Sequence, residues 1–285
     1  MSRLRKALDR SKSLREEDNG DLALSEREKL EYDIQELLSR ECPEILGSKQ
    51  KRIQLSYSKT KTIKADSETL ACNRVFAHIP DNKVTEQIEM LKFQVLKKLE
   101  ELQANSLMIT SANHKEGKTF LSANLAVSIA QNLDRTAMLI DADLRSRTYS
   151  HHGMANVFFD NYSGAGLSDY LLGTARLSDV LINPGIPRLT LLPKGQESLD
   201  APTLLDSAKM EELVCEMKSR YSSERIILFD SSSFLSNADP LILSKFVDAV
   251  VLVVEFARTS IDALRRMIDL LKGKQILGVV LNKSR

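Results

Sequence analysis

The sequence predicts an α/β fold for most of the chain: a mostly parallel sheet with helices on both faces. Three observations predict it. Six short apolar runs, Leu107–Thr110, Thr136–Ile140, Leu189–Leu192, Arg225–Phe229, Asp248–Val254 and Ile276–Leu281, are separated by stretches of helical periodicity. The runs are nearly continuous in apolar residues rather than alternating, as strands covered on both faces are. Polar residues then follow the runs: Gly117-Lys118-Thr119, Asp141 and Asp143, Asp230, and Asn282. That is the carboxyl edge, where open parallel sheets bind ligands.

Bulk composition narrows the class. The 285 residues can hold one large domain with an extension, or two small domains. With 42% hydrophobic and 28% charged residues the chain is ordinary for a soluble globular protein. A net charge of +1 supplies no field for nucleic acid. Cys42, Cys72 and Cys215 are far apart, which excludes a disulfide framework and a zinc site. No apolar run approaches the roughly 18–20 residues of a membrane span, and the N-terminus lacks the apolar core of a signal peptide. A cytoplasmic protein is expected.

Residues 1–67 read as an N-terminal helical extension and linker, partly disordered. Met1–Arg15 carries Arg3, Arg5, Lys6, Arg10, Lys12 and Arg15 against Asp9, with a thin stripe of Leu4, Leu8 and Leu14. A solvated helix is the plainer reading; a helix touching an anionic membrane or acidic partner is the sharper one. Ser25-Glu26-Arg27-Glu28 forms a capping box ahead of a helix bearing Leu30, Ile34, Leu37 and Leu38, which ends at Cys42-Pro43. Ser48–Ser67, rich in Lys, Ser and Thr, reads as a linker.

Residues 68–285 read as the second domain. Glu68–His78 reads as a short strand or turn. Thr85–Leu102 is a strongly amphipathic helix, with Ile88, Leu91, Val95, Leu99 and Leu102 on one face. The stretch LMITSANHKEGKTF follows. A strand, a polar turn and Gly-Lys-Thr opening a helix over Thr119–Gln131 make a phosphate-binding loop, the mark of a P-loop NTPase. Backbone N–H groups of Asn113, His114, Lys115, Glu116, Gly117, Lys118, Thr119 and Phe120, with the helix N-terminus, offer positive charge to phosphates. Lys118 reaches the outer phosphates and the Thr119 hydroxyl can ligate Mg²⁺. The usual first glycine of the loop is here Ala112.

Asp141 and Asp143, after the second run, can hold Mg²⁺ or accept a proton from an attacking hydroxyl. Arg145 can pair with phosphate. Asp230, closing a hydrophobic run, is the expected metal partner of such a loop. Arg147–Gly166 reads as irregular, and the adjacent His151 and His152 do not form a metal site. Leu167–Leu172 and Leu177–Ile182 read as short helical turns, and Asp206–Tyr221 and Ser260–Lys272 as helices.

The segments SANHKEGKTFLSANLAVSIAQ, MLIDADLR, IILFDSSSFLSNAD, VVLVVEFARTS and ILGVVLNKS together resemble the bacterial tyrosine kinases of capsule and exopolysaccharide systems. Those kinases belong to the deviant-Walker ATPase group, with partitioning and cell-division-site ATPases. The resemblance covers roughly residues 85–285. Asp141-Ala142-Asp143-Leu144-Arg145 is its most specific mark. Asn113 stands where partitioning relatives carry a second lysine.

The resemblance implies an ATP-dependent protein-tyrosine kinase, Mg²⁺-dependent, that regulates polysaccharide synthesis and export. It implies Lys118 and Thr119 on the phosphates and Mg²⁺, and Asp141 and Asp143 as metal ligand and base. Arg145 would lie near the phosphates, Asp230 in the metal shell and Asn282 near the adenine. The implied partners are a membrane polysaccharide co-polymerase or export protein, a protein tyrosine substrate and a second copy of the chain, with the protein peripheral at the inner face of the membrane. The alternative is a non-kinase ATPase switch controlling assembly or membrane association; a nucleotide-binding scaffold with little turnover is a third reading. Three departures stand out. Ser231-Ser232-Ser233 replaces the family's proline after the third acidic residue. No tyrosine follows Tyr221, so a tyrosine-rich tail is absent and Tyr57, Tyr32 or another protein would supply the acceptor. The ring-forming Glu-x-x-Arg-x-x-Arg is here Glu89, Lys92 and Val95, which removes its second basic residue.

Overall fold

The computed structural model describes residues 60–284 apart from 78, 80–81, 146–152, 199 and 221–223. The basic N-terminus, the capping box, Tyr32, Tyr57, His151 and His152 lie outside the described residues.

Strand β1 (Lys61–Thr62) leads into α1 (Ser67–Cys72) and α2 (Lys83–Glu101). Then come β2 (Ser106–Ser111), α3 (Lys118–Gln131) and β3 (Thr136–Asp141). Four short elements follow: α4 (Ala155–Phe158), α5 (Leu167–Leu172), α6 (Leu177–Val180) and β4 (Ile182–Asn183). The chain continues through β5 (Leu189–Leu192), α7 (Ala201–Leu205), α8 (Ala208–Arg220) and β6 (Arg225–Ser233). It closes with α9 (Asp239–Leu243), β7 (Ala249–Glu255), α10 (Ile261–Leu270) and β8 (Gln275–Asn282). The strands form one sheet in the order β1-β4-β5-β3-β6-β2-β7-β8. Every pairing is parallel except β4 with β5. Each of the six apolar runs is a strand, so the α/β expectation holds.

Successive side chains in a strand point to opposite faces, and the two cores follow that period. Leu107, Ile109, Leu139, Ile226 and Leu228 pack on the face covered by α2 and α3. Met108, Met138, Ile140, Ile227 and Phe229 pack on the other, with residues of α5, α7, α8 and α10. α3 lies under its neighbours over its whole middle: Leu121 to Ala130 are all buried. Its small residues Ala123, Ala126 and Ala130 allow that close packing.

Several local expectations are corrected. Lys61–Thr62, inside the stretch read as linker, is a strand because it pairs with β4. Residues 67–72 are a helix, since the Asp66 carboxylate accepts the Glu68 and Thr69 N–H groups at 3.1 Å and caps its first turn. Residues 155–158 form a helical turn within a stretch read as irregular, and Ile182 belongs to a strand rather than a helical turn. Leu102, placed on the apolar face of α2, is 38% exposed, and Lys92 takes a buried position instead. Its ammonium bonds the Glu89 carboxylate and Asn132 Oδ1 (3.1 Å), while Ser128 Oγ donates to Glu89 at 2.5 Å. Glu89 and Lys92 are therefore tied to α3.

A close crossing positions the loop after β5. The N–H groups of Leu167 and Ser168 donate to the Pro193 and Lys194 carbonyls at 2.7 and 2.9 Å. A Cβ on Gly166 would collide with the Gly195 amide and the Pro193 carbonyl. Both are backbone, which cannot swing aside. Gly166→Ala is expected to destabilise the fold by about 1–3 kcal/mol, the usual cost of overpacking, read as a lowered urea midpoint at unchanged slope.

Candidate functional site

The site starts from strand register. β3 and β6 are parallel neighbours, and their pairing sets Asp141 opposite Asp230. The Ala142 N–H donates to the Asp230 carbonyl at 2.9 Å and holds the two strand ends together. β2 lies on the other side of β6, and its end turns into the phosphate loop. The Thr119 hydroxyl bonds the Asp230 carboxylate, and Ser122 Oγ, one turn along α3, donates to Asp230 Oδ1 at 3.1 Å. The charge of Lys118, itself buried, acts on both Asp230 and Asp143. Lys118, Thr119, Asp141, Asp143 and Asp230 thus converge at the carboxyl edge of β2, β3 and β6.

Electrostatically the cluster is short of positive charge. Burial raises the Asp141 carboxyl to about 8, with Asp230 and Asp143 adding to the rise. The Met154 N–H, donating to Asp141 Oδ2 at 2.7 Å, and Lys194 pull it back. Asp230 is raised to about 6, again by burial first, against the pull of Thr119, Lys118 and Ser122. Asp143 is raised by burial and lowered by Lys118, Lys194 and His114. Buried carboxylates crowded this way favour a bound cation or a proton.

The loop is built by its own residues. Gly117 begins α3 at φ 101°, the left-handed region, and a Cβ there would collide with Asn282 Nδ2. Lys115 is also left-handed, at φ 65°, whereas Ala112 is not, so the position of the missing glycine makes no such demand. Asn113, His114 and Lys115 are exposed, and Phe120 is half-buried at the first turn of α3.

Three of the expected ligand residues have side-chain contacts within the chain. Glu116 is buried, its carboxylate accepting from Asn113 N (3.0 Å) and Asn113 Nδ2 (2.8 Å) rather than facing out of the loop. Asn282 Nδ2 donates to the Glu116 carbonyl at 2.8 Å, which makes it a brace for the loop. Arg145 Nε lies 2.9 Å from Asp239 Oδ2, drawn to a carboxylate that is itself buried. Burial raises Asp239, and Arg145 is the principal force lowering it. Lys194, Ser122 and Thr259 were missed as site residues. Lys194 had a visible cue, Pro193-Lys194-Gly195 at a strand end; Ser122 and Thr259 had none.

The serines after Asp230 continue β6. Ile109 pairs with Asp230 but Ser111 pairs with Ser233, so β6 carries an extra residue, a bulge. The Ser231 hydroxyl donates to the Ile109 carbonyl (3.1 Å) and that of Ser232 to Asn237 Oδ1 (2.8 Å). The bulge keeps Asp230 in register without proline.

A glycine-started helix, a buried lysine and strand-end carboxylates on a parallel sheet define a nucleotide-binding protein of the P-loop class. No protein-family model matches the chain. Over 231 residues, 80% of its length, it is 29% identical to the tyrosine-protein kinase wzc of Salmonella typhi, of which it spans 31%. It is 30% identical over 179 residues to the tyrosine-protein kinase CpsD of Streptococcus agalactiae, spanning 62% of this chain and 74% of that one. The kinase domain of the Escherichia coli tyrosine kinase ETK superposes with a TM-score of 0.64 at 26% identity, covering 82% of this chain and 87% of that one. The septum site-determining protein MinD of Pyrococcus horikoshii shares the fold at a TM-score of 0.50 and 23% identity, covering 64% and 72%. The chain belongs to the bacterial tyrosine-protein kinase family.

The raised Asp141 has a stability consequence. A carboxyl with a raised folded pKa binds its proton more tightly when folded, so stability falls as pH rises from about 4 to about 8 and is then flat. Without divalent cations, Asp141→Asn is expected to raise the melting temperature at pH 8 by about 3 °C or more and to flatten its slope with pH. Melts in chelator between pH 5 and 9 check this.

Proposed function

We propose that this chain is an ATP-dependent protein-tyrosine kinase that acts in capsular or exopolysaccharide synthesis and export. The observation that carries the reading is the convergence of Lys118, Thr119, Asp141, Asp143 and Asp230 beside the glycine-started helix. The loop amides from His114 to Phe120 and the Lys118 ammonium bind the β- and γ-phosphates, while the Asn113 N–H is spent on Glu116. Thr119, Asp141 and Asp230 are hard oxygen donors that would suit Mg²⁺. Among the described residues no group of three or more acidic, histidine or cysteine side chains is placed to hold a metal ion by itself. When bound, Mg²⁺ neutralises charge on the phosphates and relieves the crowded carboxylates.

Asp143, less buried than Asp141, takes the proton of the tyrosine hydroxyl. The phenolic oxygen forms its bond to the γ-phosphorus as the bond to the β-phosphate oxygen breaks, releasing ADP. The protein's contribution is positioning and charge stabilisation. Arg145 pairs with Asp239.

The chain spans about a third of the curated Salmonella relative, so the whole-protein role is inferred from the site. No helix among the described residues is long and apolar enough to cross a membrane. A separate membrane component of the export machinery is the partner we assign, with the basic Met1–Arg15 as its docking segment. Glu89 and Lys92 bond to one another and to α3 of the same chain, which speaks against their use in a ring contact.

Incubation with γ-labelled ATP and Mg²⁺ tests the activity. Phosphotyrosine is expected from the native chain, and Lys118→Met should lower it about a hundredfold or more, the effect of losing a key electrostatic group. Phosphate release without phosphotyrosine would instead indicate an ATPase switch.

A further inference from the structure

The phosphate loop is held from outside by the end of β8 and by the turn between β7 and α10. Two of its carbonyls and its buried carboxylate take donors from these two places. Lys283 Nζ donates to the Lys115 carbonyl at 2.8 Å and pairs with Glu255 at 3.0 Å. Asn282 Nδ2 holds the next carbonyl, that of Glu116. The Thr259 hydroxyl donates to Glu116 Oε1 at 2.5 Å. That oxygen also accepts from Asn113 Nδ2, while Oε2 accepts from the Asn113 N–H.

The Thr259 hydroxyl carries one hydrogen, and its direction is set. The Glu255 N–H donates to Thr259 Oγ1 at 2.9 Å and takes one of its two lone pairs, while the hydroxyl proton points to Glu116 Oε1, an acceptor. A short bond from a hydroxyl to a buried carboxylate is of the strong, charge-assisted kind. The loop needs such help. Lys115 at φ 65° is left-handed without being glycine, a conformation that persists only where its surroundings enforce it. The loop amides bind phosphate only if they point together, and the Glu116 carboxylate fixes both ends of the stretch from Asn113 to Glu116.

We propose that Thr259 is a positioning residue for the phosphate loop. Through Glu116 it preorganises the loop amides for the nucleotide's phosphates. Thr259 touches no substrate in this scheme. The inference rests on the nucleotide-binding reading above and deepens it by naming what shapes the loop.

The test uses the full chain, with Mg-ADP as the probe. Thr259→Val keeps the shape of the side chain and removes the hydroxyl, and Thr259→Ser restores the hydroxyl. Calorimetric affinity is measured beside the melting temperature of the nucleotide-free protein and the KM and kcat for ATP. The valine variant is expected to bind Mg-ADP about tenfold or more weakly, the loss of one hydrogen bond to a buried charge. KM should rise more than kcat falls, and serine should recover affinity to within about threefold. Native affinity in the valine variant overturns the proposal. So does a fall in melting temperature with unchanged affinity, which marks a purely structural contact. Should the valine variant fail to fold, the serine variant and Asn113→Ala decide: Asn113→Ala removes one donor to the same carboxylate, and native Mg-ADP affinity there refutes the brace. Failure of the native chain to bind Mg-ADP sinks the nucleotide reading itself, a different result from a native chain that binds and a valine variant that binds equally well.

Discussion

The pairing of β3 with β6 is the constraint from which the rest of the site follows. Parallel register puts Asp141 beside Asp230 at the ends of two fully covered strands. Two buried carboxylates side by side repel each other and lose water, so the arrangement persists only with cations or protons close by. Lys118 supplies one positive charge and Lys194 another, and donors from Thr119, Ser122 and the Met154 amide share the remainder. The raised carboxyls record what is left uncompensated. A sheet edge with that deficit is suited to a ligand that brings magnesium with it.

A second constraint lies in the loop. Phosphate-binding amides are useful only when they converge, and convergence costs backbone strain at Lys115. The strain is offset by a carboxylate in the loop and by groups reaching across from β7 and β8. The ends of the two outer strands and the nucleotide loop therefore form one hydrogen-bonded unit. The bulge in β6 belongs to the same logic. It absorbs a residue beyond Asp230 while leaving the register of Asp230 untouched.

The large elements were legible in the sequence because their signals are local and repeated. Apolar runs of strand length, the period of α2 and the Gly-Lys-Thr triplet read the same with or without neighbours. Lys61–Thr62 could not be read that way: two polar residues form a strand only because β4 is beside them. Asp66 is a local cue for the helix start at Ser67, a short polar side chain placed to cap it. Lys92 reads as a surface residue by type, yet Glu89, Ser128 and Asn132 make its buried position tolerable.

At the site, residue types and strand ends alone determined the loop, its lysine and hydroxyl, and the three carboxylates, since each lies at a fixed place in its own segment. Which of these groups face one another was decided by tertiary structure. Glu116 turns inward, Asn282 braces a carbonyl, Arg145 goes to Asp239, and Lys194 and Thr259 arrive from distant segments. The physical reason is the same each time. A local pattern specifies what a residue can donate or accept, but a buried charge takes the partner that packing places nearest, and that partner comes from another part of the chain.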